Sequence, residues 1–503
     1  MQPWLSQQSA MQPRRVPEQS TEELRTMDVH DDVFIGGRWV RSASAARIDV
    51  LNPATEEVWA SVPDGDEHDI DRAVRAARSA FPAWAATSPT NRAAVLRRLA
   101  DELDARATEL SRIITTENGT PIAESGAAPS HSAAHLRLTA ELASTLDTVD
   151  DRPNPMAPGH TVVHRVPVGV AGLITPWNFP LGLIIIKLGP ALLAGCTVVI
   201  KPAPETPMAM RALMDAVTAA GVPEGVVNLV TGSTEAGTAL VTHPGVDKIS
   251  FTGSTNVGRV IARACGERLR PVTLELGGKS PAIVLDDFDR DAFARNLLRV
   301  SMRNTGQTCK ACTRLLVPAA RHDEIASMAG EIVSTAHMGD PFDPTTFFGP
   351  LVSARQRDRV AGYLASGHAE GAKAVTGGDV STQFDRGFYI EPTVFSHVTP
   401  RMKIAREEIF GPVLSVIPYR DIDDAVEIAN DSPYGLAATV FGTDEARATA
   451  VAERLATGNI GINHYGSNAA APFGGHKDSG LGTEFAAEGL AAYLQFTSIH
   501  YQS

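Results

Sequence analysis

Cysteine is scarce in this chain, with four in 503 residues. That excludes a disulfide framework and points to a reducing compartment, the cytoplasm. Positive charge is also short. Lys and Arg total 45 against 58 Asp and Glu, a net charge of −13. The chain therefore lacks the basic face that nucleic acid or an anionic membrane requires. Long apolar runs are missing too. The most apolar stretch, 181-LGLIIIKLGPALLAG-195, is broken by Lys187 and Pro190, and no span reaches the ~18 residues of a membrane helix. The N-terminal region has no apolar signal core. Residues 1–30, rich in Gln, Ser, Pro and charge, read as a mobile extension, and Glu18, Glu22 and Glu23 count against a transit peptide.

What is present suits a soluble globular protein: 43% of residues are hydrophobic, enough for a sizeable core. At ~150 residues per domain, the length corresponds to about three domains. Ile70, Val74, Ala77, Phe81 and Trp84 step along one helical face. Ser88-Pro89 starts a second helix, whose face runs through Leu96, Leu99, Leu103, Ala107, Leu110 and Ile114 to Asn118-Gly119. From 168 to 285 short β-rich runs alternate with helical ones: VGVAGLIT, TVVIK, VVNLV, DKISFT, VTLEL and PAIVL. This alternation predicts a parallel α/β sheet, and ligands bind such sheets beyond the carboxyl ends of the strands.

The residues after those strands therefore carry the chemistry. The small residues of 252-TGSTNVG-258 lead into a helix, a start that suits a phosphate or serves as an ordinary turn. Lys201 opens KPAPETP, where it binds ribose hydroxyls or lies at the surface. In 175-TPWNFP-180 two prolines stiffen a segment that presents Asn178, either as an oxyanion donor or as the centre of an Asx turn. Glu275 sits in the apolar run VTLEL, as a general base of raised pKa or as the partner of a buried cation. The stretch 304-NTGQTCKACTR-314 spaces Cys309 and Cys312 as Cys-x-x-Cys, with Lys310 and Arg314 bringing the positive charge a thiolate nucleophile needs. A zinc site would want a second such pair, and Cys196 and Cys265 are single, so no metal is expected. His131 and His135 share i, i+4 spacing without the adjacent Glu of a metalloprotease motif, and read as a polar helix face.

In chain order TPWNFP, KPAPETP, FTGSTNVG, LELGGKSP, GQTCKACTR, EEIFGPV and PFGGHKDSG resemble the NAD(P)-dependent aldehyde dehydrogenase superfamily over residues 31 to 497. The resemblance implies a Rossmann-like α/β cofactor domain (31–149 and 168–275), an α/β catalytic domain (276–482) and a small β oligomerisation element (150–167 and 483–503) that makes a homodimer or homotetramer. It makes Cys309 the nucleophile, Glu275 the general base, Asn178 the oxyanion donor and Glu484 a proton-relay carboxylate. It implies a cofactor site formed by Thr175, Pro176, Trp177, Lys201, Pro204, Glu205, Gly253, Ser254, Val257 and Leu276. Glu408 would hold the nicotinamide ribose and Phe410 would pack beside the ring. Phe179, Arg303, Lys310, His464 and Phe473 would line the substrate funnel.

The chain departs from the family pattern twice. Many NAD-preferring members carry Glu three residues after the lysine, where this chain has Pro204, with Glu205 next. NAD is still favoured, with NADP as the alternative. Arg303 stands where relatives have an aromatic residue; it binds a substrate carboxylate or turns to solvent. With Lys310 and His464 it predicts a mouth more polar than one built for long alkyl chains. A CoA-acylating enzyme and a non-catalytic protein on the same fold are the rivals, and Glu275, Cys309 and Asn178 together speak against both. An oxidative Cys309–Cys312 disulfide is a further expectation.

Overall fold

A computed structural model describes residues 27–146, 150–464, 466 and 468–502, so most of the predicted extension lies outside the described residues. The chain is already ordered at Asp28–Val29, which pairs in parallel with Ala60–Ser61. Eight strands form the first sheet. Its core is five parallel strands in the order Val272–Glu275, Lys248–Thr252, Val170–Ile174, Thr197–Lys201, Val227–Leu229. Five of the six β-rich runs form them; the sixth, 281-PAIVL-285, contributes its strand Pro281–Val284 to a second sheet instead. The near-continuous burial of the five follows from helices on both faces.

One face packs against helices Pro89–Ala105, Ala128–Glu141, Pro180–Ala194 and Met208–Ala219, where Leu96, Leu99, Leu136, Ile184 and Leu188 are fully buried. Each such side chain contributes roughly 1.5–3 kcal/mol by leaving water. The other face meets helices Glu67–Ala85 and Thr255–Glu267 through Ile70, Val74 and Ile261.

The predicted long helix after Ser88 is two helices, Pro89–Ala105 and Ala107–Asn118. The apolar spacing continues across the break, but Arg106 leaves helical geometry at φ −101, ψ 15. The ends behave as read: Ser88 caps Asn91 N–H, and Gly119 stops the second helix at φ 79. His135 does not lie on a polar face. It is buried in the first core, where desolvation pushes its imidazole down to about 4, while His131 is exposed.

A second, seven-stranded sheet is built from Pro281–Val284, Arg314–Pro318, Lys373–Thr376, Thr393–Ser396, Val413–Tyr419, Ala437–Phe441 and Asn459–Ile462. The chain then returns to the first sheet, where Gly480–Leu481 pairs antiparallel with Leu274–Glu275. Residues 480–481, read as part of the catalytic region, thus extend the edge of the first sheet beside Glu275. Strand Leu494–Tyr501 pairs with His160–Pro167, which pairs with Asp150–Pro153, a third antiparallel sheet. Among the described residues no helix is long and apolar enough to cross a membrane.

Candidate active site

The carboxyl ends of the parallel strands meet in one region. Thr175 N–H donates to Lys201 O at 3.3 Å, and Gly253 N–H donates to Glu275 O at 3.0 Å. Ser254 caps helix Thr255–Glu267 by accepting Val257 N–H at 3.4 Å. That helix start is open, and Val257 and Val260 beside it are 47% and 60% exposed, an apolar ledge. Gly258 lets the helix close down, since a Cβ there would lie 2.5 Å from Leu276. Lys201 is not a surface lysine. It is buried, its Nζ donates to Pro202 O at 2.8 Å, and burial pulls its pKa down to about 8. Pro204 is half-buried, and Glu205 is paired with Arg355 at 2.8 Å.

Just beyond strand Val272–Glu275, Glu408 accepts Gly278 N–H at 3.0 Å, and a Cβ at Gly277 would collide with its carboxylate. Burial pushes Glu408 up to about 7. Phe410, held at φ 64, meets the ring of Trp177 edge-on at 5.3 Å. Thr175 is buried and Pro176 half-buried in the turn before Trp177. An open helix start, an apolar ledge, a buried lysine and a buried carboxylate after the strand ends suit a dinucleotide.

Cys309 follows a turn in which Asn304 (φ 51), Thr305 (φ 55) and Gly306 (φ 73) are all left-handed. For non-glycine residues this conformation costs roughly 1–2 kcal/mol each, and the surroundings enforce it. Glu124 accepts Asn304 N–H at 3.0 Å and pairs with Arg303, and Thr305 Oγ1 accepts Gly349 N–H at 3.0 Å. Any side chain at Gly306 would collide with Gly411.

The electropositive setting predicted for Cys309 is not found. Burial pushes its thiol up to about 12, the charges of Glu408 and Glu275 act in the same direction, and only Lys310 opposes them. Arg314 is unavailable, because its buried guanidinium donates to the carbonyls of Lys279, Ile428 and Ala429. Cys312 is a free, buried core thiol that donates to Thr439 Oγ1 at 3.7 Å.

Asn178 is not the centre of an Asx turn. Its Nδ2 reaches across to donate to Gln307 O at 2.9 Å, two residues before Cys309. Glu275 ends its strand only 4% exposed, and neither carboxylate oxygen has a hydrogen-bond partner among the described residues. Burial first, then the charge of Glu484, holds its pKa well above the ordinary carboxylate range. The cation-paired reading of Glu275 fails, because the buried Lys187 ammonium bonds to Glu484 instead. Breaking that pair should be costly. Lys187→Met leaves Glu484 uncompensated beside Glu275, and a loss of about 3–5 kcal/mol is expected in denaturant unfolding; an unchanged midpoint would show that Glu484 does not depend on Lys187.

The model of the aldehyde dehydrogenase family matches residues 39–499. The chain belongs to the aldehyde dehydrogenase family. Among its relatives within the family, geranial dehydrogenase of Castellaniella defragrans is 48% identical, covering 94% of this chain and 98% of the relative. The 3-succinoylsemialdehyde-pyridine dehydrogenase of a Pseudomonas species is 41% identical, covering 93% and 98%. Aldehyde dehydrogenase C of Pseudomonas syringae, solved as a mutant with NAD+ and octanal, superposes with TM-score 0.90 at 42% identity, covering 93% of this chain and 96% of that one.

In this family member the residues expected at the substrate mouth fall into two groups. Phe179 and Phe473 are half-buried, and Phe473 is tied to Glu484 by paired main-chain hydrogen bonds of 2.8 and 2.7 Å. Arg303 lies 5.4 Å from the Phe179 ring, yet its guanidinium is paired with Glu124. Lys310 is half-buried, and burial lowers its pKa to about 8. His464 is exposed and bound to Ile462 O at 2.8 Å in its own loop. Of the polar mouth expected from Arg303, Lys310 and His464, Arg303 is neutralised by Glu124 and His464 is turned outward, while Lys310 keeps its charge near Cys309.

Sequence reasoning missed an apolar strip. On helix Pro180–Ala194, directly after Asn178, only Gly182, Leu183 and Ile186 among the first seven residues are not fully buried. A Cβ on Gly182 would meet nothing within 4 Å. Phe485, also missed, stands 5.4 Å from Phe473 and 5.1 Å from His135. The i, i+1, i+4 spacing of 182, 183 and 186 was visible, but a helix apolar on all sides gives no sign of which face is open.

Proposed function

We propose that this aldehyde dehydrogenase oxidises an uncharged, apolar aldehyde to the carboxylic acid with NAD, through a covalent adduct on Cys309. The observation that carries the reading is the convergence of three separate stretches. Asn178 bonds to Gln307 of the nucleophile turn, a Cβ on Gly278 would lie 2.7 Å from Cys309 O, and the charge of Glu275 acts on the Cys309 thiol.

Glu275 takes the proton from Cys309 Sγ, a transfer helped by the raised proton affinity of its unpartnered carboxylate. The thiolate attacks the aldehyde carbon, forming the S–C bond of a thiohemiacetal. The second N–H of the Asn178 amide, with the backbone N–H of Cys309, stabilises the oxygen that becomes negative. NAD, when bound, would supply the two-electron acceptor for the hydride that leaves that carbon. A thioester remains on Cys309. Glu275 passes that first proton to solvent and then takes one from water as the hydroxyl adds to the thioester carbon; the C–S bond breaks as the acid forms, and Cys309 leaves as the thiolate. Lys201, Ser254 and Glu408 are the residues that would hold the ribose, pyrophosphate and nicotinamide ribose. Glu205, whose charge acts on Lys201, supports NAD over NADP.

The strip of Gly182, Leu183 and Ile186 supports an apolar substrate, and Arg303, already paired with Glu124, offers no free cation to a substrate carboxylate. The relatives named for geranial and solved with octanal fit this reading. A homodimer or homotetramer is supported by strand Leu494–Tyr501, which lies at a sheet edge with Phe496 and Ile499 exposed. The scarce, unpaired cysteines support the cytoplasm as its compartment.

The test is an aldehyde panel followed by NADH absorbance, with NAD and with NADP. An uncharged aliphatic aldehyde should exceed an ω-carboxy aldehyde of equal length by at least about tenfold in kcat/KM, because the carboxylate would lose its water against the apolar strip. Preference for the carboxy aldehyde would reverse the assignment.

A further inference from the structure

Two successive carbonyls of the loop that presents Asn178 are each held by a carboxamide from elsewhere. Asn118 Nδ2 donates to Trp177 O, and Asn304 Nδ2 donates to Asn178 O at 2.9 Å. The two amides are joined through Thr120, whose hydroxyl lies 2.8 Å from Asn118 Oδ1 and 2.9 Å from Asn304 Oδ1. Its single proton serves one of them at a time. Asn118, Thr120, Asn178 and Asn304 are all buried.

The contact closes into a ring with the nucleophile turn. Asn178 donates to Gln307 O at 2.9 Å, and Gln307 N–H donates to Asn304 O at 2.9 Å. Packing alone does not account for asparagine at 304. Both ends of its amide are engaged, and its backbone sits at φ 51, a conformation that asparagine tolerates better than most residues.

We propose that Asn118, Thr120 and Asn304 form a clamp that fixes the main chain at Trp177–Asn178 and so aims the Asn178 amide at the oxygen of the Cys309 adduct. Asn304 is a positioning residue that acts through Asn178. The clamp rests on the reading of Asn178 as the oxyanion donor. Its importance follows from geometry, since an oxyanion donor works within about 2.7–3.1 Å and a 1 Å displacement can cost roughly a hundredfold in rate.

Steady-state kinetics of Asn304→Gly, Asn304→Asp, Asn178→Ala and the Asn178→Ala/Asn304→Gly double variant test it. Glycine accepts the left-handed backbone without strain and removes only the amide. Aspartate keeps an acceptor for Thr120 but has no donor for Asn178 O, and it reads the same contact should the glycine variant fail to fold. Both position-304 variants should lose roughly tenfold to a hundredfold in kcat. The KM for aldehyde should stay within about twofold, and in the Asn178→Ala background Asn304→Gly should cost less than about twofold more. Full kcat at both position-304 variants alongside a crippled Asn178→Ala overturns the clamp and leaves the oxyanion reading standing. Losses that multiply in the double variant also overturn it, because a residue acting through Asn178 has nothing to lose once that amide is gone. Intact kcat in Asn178→Ala itself overturns the oxyanion reading, and the clamp with it.

Discussion

Cys309→Ala should reduce aldehyde-dependent NADH formation by more than roughly 10⁴-fold, because the whole route is covalent and the nearest other cysteine in sequence is buried. Cys312, three residues on, does not substitute: it is 0% exposed, with its thiol directed to Thr439. Binding of NADH, followed by its fluorescence, should persist, since the residues assigned to the cofactor lie on other loops. The wild-type thiol adds a pH test. Burial and two neighbouring carboxylates hold Cys309 up at about 12, so without cofactor its thiolate fraction keeps rising through the neutral and mildly alkaline range. Alkylation by iodoacetamide should therefore climb about tenfold per pH unit from pH 7 to 10, with no plateau at the usual cysteine value near 8.5. A plateau near pH 7 would mean a resting thiolate and remove the need for Glu275 in the first step. Full activity in Cys309→Ala would sink the covalent mechanism altogether.

The gap between what the residues foretold and what the structure contains has a consistent cause. Strands such as TVVIK and DKISFT were legible because burial on both faces demands apolar β-branched runs, and they appear at Thr197–Lys201 and Lys248–Thr252. Caps were legible because they are local, as at Ser88 and Gly119. Partners were not. Arg303 finds Glu124 at a separation of 179 residues, and Lys187 finds Glu484 at 297. Whether an arginine at a mouth is free or neutralised depends on a pairing that no local pattern encodes. The setting of Cys309 misled for the same reason. Lys310 and Arg314 are near in sequence, but folding gives Arg314 to three backbone carbonyls and brings Glu408 and Glu275 towards the sulfur. His135 shows the reverse error, a histidine read by its spacing as polar that the fold places in a core.

Glu275→Gln should separate the two halves of the reaction. The amide keeps the size of the carboxylate but cannot accept a proton at neutral pH, so thioester hydrolysis should slow by roughly 10²–10⁴-fold. One equivalent of NADH per active site should appear as a burst and then nearly stop, and an added strong nucleophile such as hydroxylamine should restart turnover by taking the acyl group. The burst itself should be slower than in wild type, because the same carboxylate draws the proton from Cys309. Undiminished steady-state hydrolysis in Glu275→Gln, with no thiol or amine present, would remove Glu275 from the mechanism. The pH dependence carries the sign of its surroundings. A base works only when deprotonated, so wild-type turnover should fall on acidification through the pKa of Glu275, which burial and Glu484 hold well above the ordinary carboxylate range. Glu484→Gln removes a neighbouring negative charge and leaves Lys187 closer to an unpaired cation, and both changes favour the ionised Glu275. The acidic limb should therefore move to lower pH in that variant, and an unmoved limb would show that the Lys187–Glu484 pair holds the fold without tuning the base.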